Sequence, residues 1–157
     1  MNKTFFILFL TIMFSYNAWA EYDKIEKYEI QSAGTGVEGT YLVKVLIYSK
    51  TNKLSDDAYK YAAVHGCIFR GFSGAPGMTS APPMASSPTL EEDREEYFKT
   101  FFESTYMNFA SVVEASYKVI RLKKKGYKLE ATVQVKKDKL RHELEKSGII
   151  KGLASGF

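Results

Sequence analysis

The chain has 157 residues, a formal net charge of +4, 45% hydrophobic residues and a single cysteine. That length suits one domain with a real core, because chains of about 150 residues bury roughly two-thirds of the surface they expose when unfolded. The lone Cys67 excludes an internal disulfide, and the small excess of interspersed positive charge gives no basis for nucleic-acid binding.

The first segment, MNKTFFILFLTIMFSYNAWA, has one early positive charge at Lys3 and an apolar run from Phe5 to Phe14. It closes on Ala18-Trp19-Ala20, with small residues at the two positions that signal peptidase reads. The apolar run is too short for a bilayer that needs ~20 residues. Residues 1–20 are therefore expected to be a signal peptide cleaved before Glu21, leaving a single domain over 21–157. No cysteine sits at that junction, so no lipid anchor is expected. The expected location is periplasmic or extracellular, with no integral membrane segment after cleavage.

Next, YEIQSA alternates apolar and polar residues, and TYLVKVLIYSK follows after a glycine-punctuated turn. Tyr41, Val43, Val45 and Ile47 share one face of the second run, with Leu42, Leu46 and Tyr48 on the other. This predicts a hairpin over residues 28–50 whose second strand is covered on both sides.

Ser55 reads as an N-cap, with Asp56 and Asp57 complementing the helix dipole. Ala58, Tyr61, Ala62, His65, Ile68, Phe69 and Phe72 form one apolar stripe at helical spacing. Small residues at Ala58, Ala62 and Ala63 allow close approach to a sheet, and Gly71 and Gly74 end the helix. A second helix is expected from Thr89, where Thr89 and Glu92 have capping-box spacing. Its stripe is Leu90, Tyr97, Phe98, Phe101 and Phe102, residues expected in the core. TYMNFASVV fits either an extension of that helix or the start of a strand.

YKVIRLKKKGYKLEATVQVKK has the pattern of a second hairpin turning at Lys125-Gly126, with Leu129, Ala131, Val133 and Val135 on one face. Asp138 is expected to cap a short helix that buries Leu140 and Leu144 and ends at Gly148. Ile149 and Ile150 are expected to tie down the tail. The order ββ-α-α-ββ-α predicts an α+β fold, an antiparallel sheet of two hairpins with helices packed on one face.

Three patterns invite a catalytic reading. Gly34-Thr35-Gly36-Val37-Glu38-Gly39 matches G-x-G-x-x-G, yet a strand pattern follows where a phosphate-binding helix is required. Gly71-Phe72-Ser73-Gly74-Ala75 misses the second glycine of a nucleophile elbow and follows a helix. His65 and Cys67 lie two apart on that helix and so point about 200° away from each other. A hydrolase requires His65 or His142 beside Ser73 or Cys67, with an acid behind it. With two His and one Cys, and no acidic calcium loop, neither a metal nor any other cofactor is expected. The chain is read as a non-enzyme.

The long loop at 73–88 is rich in Pro, Ser and Ala, with Met78 and Met84 as its large apolar side chains. It reads as a connector long enough to serve recognition. RLKKKGYK carries Arg121, Lys123, Lys124, Lys125, Tyr127 and Lys128. Lysine protection of an exposed strand is the favoured reading, and binding of an anionic partner the alternative. Met78, Met84, Arg121, Lys123, Lys124, Lys125 and Tyr127 are the candidate binding residues.

The stretch YKVIRLKKKGYKLEATVQVKKDKLRHELEKSGI resembles the closing segment of small bacterial envelope domains. Examples are the N-terminal domain of flagellar assembly protein T and related outer-membrane lipoproteins, and the chain also resembles exported bacterial proteins of unassigned function. The resemblance implies a non-catalytic role in envelope assembly or adhesion through an envelope or secreted protein partner. Its eleven tyrosines and basic hairpin motivate an alternative, a glycan- or peptidoglycan-binding module.

Overall fold

The computed structural model describes Ile25, residues 27–124 and residues 126–152; the expected signal peptide (1–20) and Lys125 lie outside the described residues. Strand β1 (Lys27–Ser32) pairs antiparallel with β2 (Tyr41–Ser49), placing Lys27 opposite Tyr48 and Ser32 opposite Val43. The glycine pattern from Gly34 to Gly39 is the loop between them. Gly39 has φ +75°, and a Cβ there would meet Asp138 Oδ2 at 2.8 Å. Glycine thus lets the loop approach the last helix, where Asp138 N–H donates to Gly39 O at 3.2 Å.

β5 (Tyr127–Val135) runs antiparallel to β2 along its whole length, from Tyr41 opposite Val135 to Ser49 opposite Tyr127. On its other side lie β3 (Ala110–Val112) and β4 (Lys118–Arg121), placed end to end. The sheet order is therefore β1-β2-β5, with β3 and β4 sharing the far edge. The protein has an α+β fold, an open antiparallel sheet with its helices. TYMNFASVV resolves into a helical turn followed by β3.

The sheet buries one face. Tyr28, Ile30, Val43, Val45, Ile47, Leu129, Ala131, Val133 and Val135 form a single core with α1 (Asp56–Phe69). Ala58, Ala62 and Ala63 are wholly buried. At Gly66 a Cβ would come within 2.6 Å of Ile30 Cδ1. Short side chains thus set the spacing of helix and sheet. Helix α4 (Lys137–Lys146) adds Leu140 and Leu144 to the same core. Each large aliphatic side chain so buried contributes roughly 1.5–3 kcal/mol. The opposite face is mixed. Leu46 is 3% exposed but stands apart from the core cluster, flanked across the ladders by Glu29 and Glu130. Lys44, Tyr48, Thr132 and Gln134 beside it are half-exposed, so β2 is not covered on both sides as its pattern implied.

Three local expectations are corrected. α1 stops at Phe69, because Gly71 turns the chain with φ +66° and sends Phe72 into a bridge with Ala81. The second helix is not continuous. It divides into α2 (Leu90–Asp93), α3 (Glu95–Thr100), a π turn (Phe101–Thr105) and a 3₁₀ turn (Tyr106–Phe109). The break falls at Arg94, with φ −128°, and Thr89 Oγ1 donates to Asp93 Oδ2 instead of closing a capping box. Tyr106 N–H donates to Phe101 O, and this widened turn keeps Phe98, Phe101, Tyr106 and Phe109 all on the buried side. Finally, Lys136 and not Asp138 occupies the N-cap of α4.

Candidate functional site

The two edges of the sheet are treated differently, and the difference begins with a bulge in the far edge. Between β3 and β4, residues 113–117 face only Ala131 and Thr132 of β5. Val113 N–H donates to Thr132 O at 2.8 Å. The Ser116 hydroxyl donates to Val113 O at 2.6 Å and accepts from Thr132 N–H at 2.9 Å. A side chain thereby stands in for a missing ladder partner. The turn carries Ala115 at φ 59°, the left-handed region that disfavours any Cβ. Tyr117 latches the bulge to the start of α1, its hydroxyl donating to Asp56 Oδ1 at 2.6 Å and its ring meeting Tyr59 edge-on. Partial burial, that hydrogen bond and the Asp56 charge together push the Tyr117 phenol up to about 12.

Beyond the bulge, β4 is exposed at all four residues, with Val119 at 56% and Ile120 at 44%. Leu122 N–H donates to Gly126 O at 3.0 Å. In an antiparallel ladder hydrogen-bonded and non-hydrogen-bonded pairs alternate. Ile120–Lys128 and Lys118–Glu130 are therefore bonded pairs, and the backbone groups of Val119 and Arg121 point outward. Lys118, Arg121, Lys123 and Lys124 form no ion pair among the described residues.

The β1 edge is partly covered. Ser32 N–H donates to Ser73 O at 3.0 Å, and Gln31 forms a parallel bridge with Ser73. Arg70 Nη1 donates to Tyr28 O at 2.9 Å while its guanidinium lies 4.1 Å from the centroid of the Tyr28 ring.

The candidate binding residues are not gathered in one place. Arg121, Lys123 and Lys124 sit exposed on the β4 edge and its turn, and Tyr127 begins β5 against the core rim. Tyr48, Lys50, Leu122, Lys124 and Tyr127 border a cleft of about 470 Å³ beside that turn. The 73–88 loop lies at the opposite edge, against β1. Met78 there is 48% exposed, whereas Met84 packs on the core. The loop also completes α1, since Met84 N–H donates to Cys67 O at 3.2 Å and Ala85 N–H to Ile68 O at 2.8 Å. These bonds satisfy carbonyls that a helix end leaves open.

A second polar cluster surrounds His65, which does not reach Ser73 or Cys67. Its Nδ1 lies 2.5 Å from Tyr28 Oη and its Nε2 lies 3.0 Å from Glu91 Oε1. Burial raises the Tyr28 phenol well above its ordinary range, with Arg70 acting in the opposite sense. The phenol therefore keeps its proton and donates to Nδ1, leaving Nε2–H to donate to Glu91. The hydrogen bond from His65, opposed by burial and aided by the Arg70 charge, holds the Glu91 carboxyl below its usual range. A protonated, buried phenol is not a nucleophile, so this chain of contacts works as a clamp joining β1, α1 and α2. Cys67 is equally inert, its thiol pushed up to about 12 by burial. Sequence reading missed the cluster, because Tyr28 and Glu91 lie far from His65 along the chain. Among the described residues no group of His, Cys, Asp and Glu could hold a metal ion, and no helix is long and apolar enough to cross a membrane.

Compared with known protein families, curated proteins and solved structures, the chain matches none.

Proposed function

We propose that this is an exported, non-enzymatic bacterial protein of the envelope or secreted fraction that acts through protein–protein contact, in envelope assembly or adhesion. The observation that carries this reading is the asymmetry of the sheet. One edge is partly covered by Ser73 and Arg70, while the other presents the exposed apolar pair Val119 and Ile120. An open apolar edge is a liability that proteins ordinarily blunt or use. The resemblance of the C-terminal half to small envelope domains points the same way, and the buried phenol of the His65 cluster lends no support to catalysis.

A photo-crosslinking residue at Ile120, expressed in the native cell, tests the reading. The expected result is a discrete adduct with another protein in the envelope or secreted fraction, made by a chain whose intact mass begins at Glu21. A protein confined to the cytoplasm with residues 1–20 retained overturns export, and the absence of any adduct overturns the contact role.

The glycan alternative draws on the cleft, where Tyr48 and Tyr127 stand with Lys50 and Lys124. Its tyrosines are not arrayed on one flat surface, since Tyr48 belongs to the open face of the sheet and Tyr127 to the core face. Co-sedimentation with purified peptidoglycan, abolished by Tyr48→Ala, is the result that favours it over protein contact.

A further inference from the structure

We propose that β4 accepts an extended, acidic segment of a partner protein as an added strand. The segment is read as a four-residue pattern, acid–apolar–apolar–acid. This rests on the protein-contact reading above and names the chemistry of the partner.

The backbone supplies the docking rail. Val119 and Arg121 direct their N–H and C=O groups away from β5, so a strand laid beside them continues the ladder. Affinity in such strand addition comes from main-chain bonds and specificity from alternating side chains. Those side chains are set by the register. Lys118 and Ile120 lie on the open face, opposite Glu130 and Lys128, whereas Val119 and Arg121 lie on the helix face, opposite Leu129 and Tyr127. A partner residue facing Lys118 gains from a carboxylate, those facing Val119 and Ile120 from apolar groups, and the one facing Arg121 again from a carboxylate. The pattern is symmetric, so it serves a segment running in either direction. The bulge at 113–117 limits the rail to the short stretch beyond it.

Charge also selects the occupant. A second copy laid antiparallel must set its own outward residues against these, for example Val119 opposite Arg121 and Ile120 opposite itself, so each guanidinium faces a valine and the cations stay unpaired. An acidic segment places carboxylates opposite them instead. The same residues do not close the edge. Lysine on an edge blunts pairing with strands that carry no opposite charge, and here the cations flank Val119 and Ile120 while leaving both apolar side chains uncovered. The cations lack ion-pair partners among the described residues, so their charge is available to an acidic ligand.

The test uses the ¹⁵N-labelled mature chain (21–157) and the peptide acetyl-TEVVET-amide, with acetyl-TKVVKT-amide as control. Saturable amide shifts confined to β4 and its flanks are expected for the acidic peptide, with binding at least about tenfold tighter than for the control. Val119→Pro removes an outward N–H while sparing the bonds to β5, and should abolish binding. Proline is tolerated at such an edge position. If that variant does not fold, Lys118→Glu with Arg121→Glu provides the independent arm, since it should reverse the preference toward the lysine peptide. Equal binding of both peptides, no binding, or concentration-dependent self-association mapped to β4 overturns the proposal. An adduct at Ile120 in cells without acidic-peptide binding leaves the contact role standing and removes this account of the partner.

Discussion

Glu91 shows how a single side chain joins distant parts of the chain and makes stability depend on pH. Its carboxylate accepts from His65 and closes the line of contacts that starts at Tyr28, so three elements meet through two hydrogen bonds. Its folded pKa lies below the unfolded value, chiefly through the His65 hydrogen bond. A group of that kind contributes stability that is fully present above the unfolded pKa and is lost as pH falls through the folded one. The side chain is 43% exposed, so solvent screening keeps the contribution to about 1 kcal/mol or less. Glu91→Gln should therefore lower stability at pH 7 by up to about that amount. The gap between variant and parent should close at pH 3 in urea titrations. An equal gap at both pH values would mean that shape, not charge, holds the clamp.

At the scale of elements, the aromatic run and the long loop each do more than their patterns imply. Phe98 and Phe101 are buried on either side of the junction between α3 and the π turn. Phe98→Ala and Phe101→Ala should each cost ~3–5 kcal/mol by chemical denaturation, as large-to-small core changes do. The 73–88 loop divides in two. Residues 75–80 are an excursion, whereas 81–85 bridge Phe72 and bond to the last carbonyls of α1. Replacing 75–80 with Gly and Ser should leave the melt nearly unchanged, because loop-closure entropy varies slowly with length. Replacing 81–85 should destabilise measurably through lost burial of Ala81 and Met84; a melt unchanged by either swap would return the whole loop to a mere connector. β1, β2, β4, β5, α1 and α4 were legible in the sequence because each has one dominant period. TYMNFASVV was not, because its apolar residues suit both periods and only the demand that Tyr106 and Phe109 stay buried selects a widened turn before β3. The candidate site was half legible. The basic residues stand out in RLKKKGYK, but Val119 and Ile120 become a surface only because β4 is peripheral in the sheet, and strand order is not written in local alternation.

Across the whole molecule, the two edges of the open sheet are covered unequally. β1 has no strand beyond it, and two of its outward groups are taken, Ser32 N–H by Ser73 O and Tyr28 O by Arg70. Arg70 contributes both a charged hydrogen bond, ordinarily about 1.5–3 kcal/mol, and a cation placed over an aromatic face, about 0.5–1 kcal/mol or more. It stands just past α1, so its side chain also ties the end of that helix to the sheet. Arg70→Ala removes these contacts and leaves Tyr28 O open beside a strand that carries Ile30 inward and Gln31 outward. Two effects should follow together. The variant should lose roughly 1–3 kcal/mol of stability, and hydrogen exchange should quicken in β1 more than in β4, since β4 does not depend on Arg70. Sedimentation of the same variant should also show association that grows with concentration, as a freed edge permits. If Arg70→Ala associates no more than the parent and exchange in β1 is unchanged, the guanidinium does not guard this edge.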